Sequence, residues 1–203
     1  MKYFLDTADP KEIEKWSNVI NGVTSNPSIL KKCNMTSKEF FKTNIEIFDD
    51  IFVQIQDLDE LEELNHGIDN KDFMNIIFKV PLMKTADFDG YQLIRELKAQ
   101  SFRTCGTITY DIVQFNQACE LGCDFCIALF AKNDNQNFLE QCVETKKTQN
   151  FHTQIIAASF RNKIHVTKAI LCGADYATVP PKIMEEVFRN DSTLKDYKSF
   201  YKE

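Results

Sequence analysis

The chain alternates short, largely apolar runs with longer amphipathic ones. Eight short runs have β character, at residues 2–5, 22–25, 51–56, 75–80, 103–108, 125–130, 153–159 and 176–179. Their starts lie roughly 20–29 residues apart, the pitch of a compact βα unit with short loops. Helix signals fill the gaps. Asp9, Pro10 and Glu12 place an N-cap, a first-turn proline and an N3 acid in order. Thr36 and Glu39 read as a capping box ahead of Phe40, Phe41 and Ile45. From Ala86 to Ala99, Leu93, Ile94 and Leu97 fall on one face. The acidic stretch Asp57–Glu63 reads as a solvated helix start.

Two stretches resemble each other at a separation of 51 residues, Glu120–Phe125 and Leu171–Tyr176. In each, a helix ends at a glycine (Gly122, Gly173) suited to the left-handed C′ position, and a strand follows. Eight such units make either an open doubly wound sheet or a closed barrel. An open nucleotide-binding sheet wants a glycine-rich turn after its first strand. Here that turn, Leu5–Glu12, has no glycine, and neither a G-x-G-x-x-G nor a P-loop pattern occurs. The expected fold is therefore α/β, a small (βα)8 TIM barrel occupying 1–203 as one domain, with an extra C-terminal helix at about 192–202.

The composition agrees and narrows the function. With 203 residues, 43% hydrophobic and 27% charged, the chain can bury a sizeable core. A net charge of -6 argues against general nucleic-acid binding. No apolar run reaches the ~18 residues of a membrane helix. Asp6 and Asp9 stand where a signal peptide would be apolar, so a cytoplasmic location is expected. Seven cysteines, an odd number, suggest reduced thiols. Cys123 and Cys126 form one C-x-x-C, but His66, His152 and His165 offer no matching zinc spacing. No metal and no cofactor is expected.

In a barrel of this kind, chemistry sits at the C-terminal ends of the strands. The polar residues there are Asp6, the group Thr24-Ser25-Asn26, Gln54, Lys79, Thr107, Lys132, Ser159 and Arg161. Lys79 stands out because its near neighbours, Ile76, Ile77, Phe78, Val80 and Pro81, are all apolar. Desolvation lowers an ammonium pKa, and a neutral amine is what Schiff-base formation needs. A structural lysine paired with a carboxylate would look the same in sequence. Asp6 could be its proton-transfer partner or a cap. Gln54 and Thr107 could hold a water, or Gln54 could make a cross-strand contact. Ser159 and Arg161, at a strand-to-helix turn, could bind an anion.

These residues resemble a known family. Phe4–Asp9, Gly22–Ile29, Lys79-Val80-Pro81 and Ala157–Arg161 are similar to the motifs of the transaldolases, above all the short branch that includes fructose-6-phosphate aldolases. The resemblance covers nearly the whole chain, in order. It implies metal-independent class I aldol chemistry on sugar phosphates, within the pentose phosphate pathway. Lys79 matches the Schiff-base lysine, Asp6 the acid/base aspartate, and Thr107 the threonine that holds the catalytic water with Gln54. Asn26 matches a substrate contact, with Thr24 expected at the substrate beside it, and Ser159 and Arg161 match the phosphate site. Lys132 falls where the family usually has arginine, and a point charge there replaces a forked donor.

Two positions point in opposite directions. Gln54 resembles the fructose-6-phosphate aldolases, since transaldolases proper have glutamate there. The aldolases carry a tyrosine on strand 6, where this chain has Leu129 with Phe130 beside it, and that favours transaldolase. Phe130 is expected at the substrate. The expected activity is transfer of a dihydroxyacetone unit to an aldose phosphate. The alternatives are an aldolase releasing free dihydroxyacetone, and a sugar-phosphate-binding barrel with weak catalysis. The resemblance further implies a homo-oligomer, decamers being frequent in the short branch. The amphipathic face of Leu194, Tyr197 and Tyr201 could pack on a partner copy or on its own barrel.

Overall fold

Eight parallel strands close into a barrel in sequence order in the computed structural model, which describes residues 1–66, 68–84 and 89–201. The strands are β1 (Lys2–Asp6), β2 (Gly22–Thr24), β3 (Asp50–Gln54), β4 (Ile76–Pro81), β5 (Arg103–Thr109), β6 (Phe125–Ala128), β7 (Gln154–Ala157) and β8 (Tyr176–Val179). All eight coincide with the β-like runs of the sequence. β8 returns to pair with β1, setting Phe4 beside Thr178 and Leu5 beside Val179. The third, sixth and seventh strands end at Gln54, Ala128 and Ala157, short of the expected 56, 130 and 159. A helix capped by Asp57 and a one-turn 3-10 helix (Phe130–Lys132) closely follow the first two of these.

Ten α-helices surround the barrel: α1 (Pro10–Trp16), α2 (Pro27–Lys32), α3 (Ser37–Asn44), α4 (Leu58–Asn65), α5 (Asp89–Ala99), α6 (Ile112–Glu120), α7 (Phe138–Thr148), α8 (Lys163–Cys172), α9 (Pro181–Phe188) and α10 (Asp191–Tyr201). The count refers to the described residues. The capping signals act locally as expected. Asp9 accepts from the Lys11 amide, and Thr36 and Glu39 exchange both bonds of the capping box. Residues 86 and 202, the expected start of the fifth helix and end of the last, lie outside the described residues.

The two similar stretches do the same work. Gly122 and Gly173 take positive φ, 73° and 86°, where a side chain would be strained. The aspartate two residues later clips the preceding unit. Asp124 accepts from the Thr104 amide at 2.8 Å and pairs with Lys98 at 3.0 Å. Asp175 accepts from the Ile155 amide at 2.8 Å and pairs with Lys146 at 2.6 Å.

The core has two layers. The outer one lies between sheet and helices and includes Leu5, Val23, Ile51, Phe78 and Val80. The inner one fills the barrel with Phe4, Phe52, Ile77, Cys105, Phe125, Ile127, Ile156 and Ala158. Phe4 stacks on Tyr176 at 4.6 Å and meets Phe52 at 4.8 Å, so aromatic rings plug the interior. Side chains alternate between faces along a strand. The residue two positions beyond each inner residue therefore also faces inward, at the open C-terminal end. Phe4 leads to Asp6, Gly22 to Thr24, Phe52 to Gln54, Ile77 to Lys79, Cys105 to Thr107 and Tyr176 to Thr178.

Candidate active site

A cavity of about 430 Å³ opens at this end of the barrel. Its walls include Asp6, Thr24, Asn26, Gln54, Lys79, Thr107, Lys132 and Ser159, brought together from seven βα units. Lys79 is at its base, 5% exposed, between its strand partners Gln54 and Cys105. Its ammonium donates to the backbone carbonyl of Ser25. Burial pushes the Lys79 ammonium below its usual value, and the Asp6 carboxylate partly offsets this. The position of β4 is set firmly, because α5 packs its first turn onto the strand end. A Cβ on Gly90 would lie 2.0 Å from the Pro81 carbonyl oxygen.

Asp6 ends β1 and opens partly onto the cavity. Burial raises its carboxyl above the usual range, opposed by Lys79, by a hydrogen bond from Thr24 and by Lys132. Thr24 donates to Asp6 Oδ1 at 3.0 Å and also contacts the Thr178 hydroxyl. Asn26 caps α2, its Oδ1 accepting from the amides of Ser28 and Ile29 at 3.0 and 3.1 Å. With the carbonyl committed to the helix, the amide NH₂ is left to donate into the cavity.

β5 reaches the site through a bulge. Between Gly106 and Thr109 it carries one residue more than β6, which pairs Gly106 with Cys126 and Thr109 with Ala128. The extra residue places Thr107 and Ile108, adjacent in sequence, both at the cavity. Ile108 has φ 60°, an unusual conformation for a β-branched side chain, and Ser159 opposite has φ 70°.

Two of the expected residues lie outside the cavity wall. Phe130 does not line the cavity. The alternation carries Ile127 and Leu129 inward, and the 3-10 turn directs Phe130 into the outer layer, where its ring meets Phe160 at 5.6 Å. Leu129 lines the cavity instead. Arg161 is likewise absent from the cavity wall. It is exposed beyond the tight turn at Ser159, and its backbone amide donates to His165 Nδ1 at 3.3 Å. Lys132 is then the cation at the rim, besides Lys79 within, among the described lining residues.

Sequence reasoning passed over Thr178, Ile108 and the Ser25 carbonyl. Thr178 was legible, since it stands two residues beyond Tyr176 in the same alternation. Nothing local marks the bulge or the carbonyl acceptor. All seven cysteines are free, and Cys123 and Cys126 are buried. Among the described residues no group of three or more His, Cys, Asp or Glu is placed to hold a metal ion, and no helix is long and apolar enough to cross a membrane.

Comparison with known proteins gives a consistent picture. The family model described as Transaldolase/Fructose-6-phosphate aldolase matches residues 3–64 and 63–202. A protein of Carboxydothermus hydrogenoformans named "Probable transaldolase" is 30% identical over 98% of this chain and 96% of its own length. Proteins of the same name from Clostridioides difficile and Aquifex aeolicus are 32% and 28% identical, each over 100% of this chain and 96% of their own.

Proposed function

The chain belongs to the transaldolase/fructose-6-phosphate aldolase family, and from that premise we propose that it transfers a dihydroxyacetone unit through a Schiff base on Lys79. The donor is a ketose phosphate such as fructose 6-phosphate or sedoheptulose 7-phosphate, the acceptor is an aldose phosphate, and the setting is the pentose phosphate pathway. The observation that carries this reading is the burial of Lys79 in an open polar cavity with Asp6, Gln54 and Thr107. A structural lysine would sit in a closed ion pair. This one holds a backbone carbonyl and leaves room for a substrate.

The chemistry follows from the placement. Neutral Lys79 Nζ attacks the ketose C2, loss of water gives the imine, and a proton taken up from solvent, given back at the closing hydrolysis, makes it the iminium. Gln54 and Thr107 bind the water that leaves here and returns at the end. The Asp6 carboxylate takes the proton of the C4 hydroxyl as the C3–C4 bond breaks. An aldehyde phosphate departs, and the electron pair remains as an enamine on Lys79. C3 of the enamine then attacks the acceptor carbonyl, Asp6 returns its proton to the new alkoxide, and water frees Lys79. Asn26 and Thr24 contact the sugar hydroxyls. Lys132 and Ser159 meet the phosphate, with Arg161 outside the cavity wall.

Borohydride reduction in the presence of fructose 6-phosphate, followed by peptide mapping, tests the reading. A three-carbon adduct on Lys79 is expected. Unmodified Lys79 in folded, sugar-binding protein overturns it and favours a sugar-phosphate-binding barrel with weak catalysis. Gln54 beside Lys79 supports a second reading, an aldolase that releases free dihydroxyacetone. Leu129 in the wall, with no phenol at that position, supports transfer. Turnover only with erythrose 4-phosphate present identifies the transferase. The reading includes a cytoplasmic location, consistent with seven unpaired thiols. It also includes a homo-oligomer in which a second copy covers α10, a helix with no buried residue and with Leu194, Phe200 and Tyr201 exposed.

A further inference from the structure

We propose that Thr178 on β8 is a positioning residue that holds the Asp6 carboxylate through Thr24. The inference rests on the functional reading above, in which Asp6 moves the proton.

Thr24 Oγ1 donates to Asp6 Oδ1 at 3.0 Å. It also lies 2.5 Å from Thr178 Oγ1. Each hydroxyl carries one hydrogen. With that of Thr24 given to Asp6, Thr178 is the donor in the second contact. Donation therefore runs in one direction, from Thr178 to Thr24 to the carboxylate.

The placement is a product of barrel closure. β2 and β8 flank β1 on either side, with Thr24 level with Asp6 and Thr178 level with Phe4, two residues below. The two hydroxyls thus meet across β1 and support the carboxylate from beneath. Thr24 and Thr178 border the cavity but are only 1% and 4% exposed, which limits competition from water for either hydroxyl. Pro180 and Pro181, which open α9 directly after β8, limit the freedom of the strand end. Buried hydroxyl donors in series polarise one another, and this favours the ionised carboxylate. The charged groups acting on Asp6 are Lys79 from β4 and Lys132 after β6, while β2 and β8 supply hydroxyls.

The test is the pH dependence of kcat/KM in Thr178→Val and Thr178→Ser. Valine keeps the shape and removes the donor. The acid limb, on which Asp6 must ionise, should move up by about 1 pH unit, a tenfold change in proton affinity. kcat should fall about tenfold with KM changed less than about threefold, in keeping with the loss of one buried hydrogen bond. Borohydride trapping on Lys79 should persist, and Thr178→Ser should restore the wild-type profile. Should the valine variant not fold, Thr178→Ala removes the same donor and is read in the same way. A folded variant with the wild-type acid limb overturns the proposal, as does a loss of activity without a shift and without rescue by serine. Absence of a Lys79 adduct in the wild-type protein would instead strike the functional reading, so the two failures are distinguishable.

Discussion

Asp6 and Lys79 enter one cavity from strands β1 and β4, and each restrains the displacement that burial imposes on the other. Burial raises the carboxyl and lowers the ammonium, so both groups are drawn toward their neutral forms. Their mutual attraction opposes this in both cases. Proton transfer and nucleophilic attack both draw on groups poised in this way.

Removing the ammonium should make stability depend on pH in a defined direction. In Lys79→Met the Asp6 carboxyl loses its largest opposing charge and rises further. A carboxyl raised on folding adds stability that is complete below its unfolded value and lost as pH rises through the folded value. The lowered Lys79 of the wild type behaves oppositely, its contribution being lost as pH falls through its folded value. Both effects favour the variant in acid. The stability of Lys79→Met relative to wild type should increase from pH 8 to pH 5. A tenfold change in the carboxyl's proton affinity corresponds to about 1.4 kcal/mol. Denaturant titrations at the two pH values check this, and a difference that is flat or of opposite sign refutes it.

Ser25 serves Lys79 through its backbone alone. The hydroxyl is buried and has no hydrogen-bond partner among the described residues. An unmade bond of this kind costs about 1–3 kcal/mol. Ser25→Ala should leave Tm unchanged or raise it by a few degrees, on the order of 2–4 °C per kcal/mol at this chain length, with adduct formation on Lys79 retained. A tenfold loss of kcat/KM would assign the hydroxyl a role in the reaction.

Ile108 stores strain at the cavity mouth. A β-branched residue at φ 60° costs about 1–3 kcal/mol. At 45% exposure the side chain has limited burial to lose. Glycine relieves the strain, at an entropic cost of about 0.5–1 kcal/mol. Ile108→Gly should therefore raise Tm by about 2–4 °C, and Ile108→Val should not. A lower Tm for the glycine variant would show that packing at the bulge outweighs the strain.

The thiols should separate by accessibility and acidity. Cys33 and Cys172 are partly exposed, and the other five are buried. Burial pushes Cys172 up to about 11, Cys119 to about 11 and Cys123 to about 12. Since the thiolate is the reactive form, a charged thiol reagent at pH 8 should modify the native protein only at Cys33 and, slowly, Cys172, and the remaining five only on unfolding. Rapid native modification of Cys119 or Cys123 would contradict this arrangement.

The last helix should be separable from the barrel. Deleting residues 191–203 removes exposed Leu194, Tyr197, Phe200 and Tyr201 and no buried side chain of α10. The shortened chain should keep its Tm within a few degrees and still form the Lys79 adduct. If a second copy covers α10, its mass by light scattering should fall to that of one chain. An unchanged oligomer would place the interface elsewhere.

Much of this architecture was written in local patterns. The period of two along each strand placed Asp6, Thr24, Gln54, Lys79 and Thr107 on the inner face, and caps such as Asp9 and Thr36 set helix starts. Gly122 and Gly173 ended helices where only a left-handed residue suits. These features depend on near neighbours along the chain, so the order of residues determined them by itself. The tertiary structure decided what depends on distant partners. The bulge that points both Thr107 and Ile108 at the cavity exists only in the pairing of β5 with β6. The turn that sends Phe130 outward and leaves Leu129 inside depends on packing against Phe160. Thr178 meets Thr24 across 154 residues of sequence only because β8 closes on β1. Alternation is a property of the backbone and is legible locally, whereas bulges, closure and side-chain partners are chosen by the energy of the whole packed barrel.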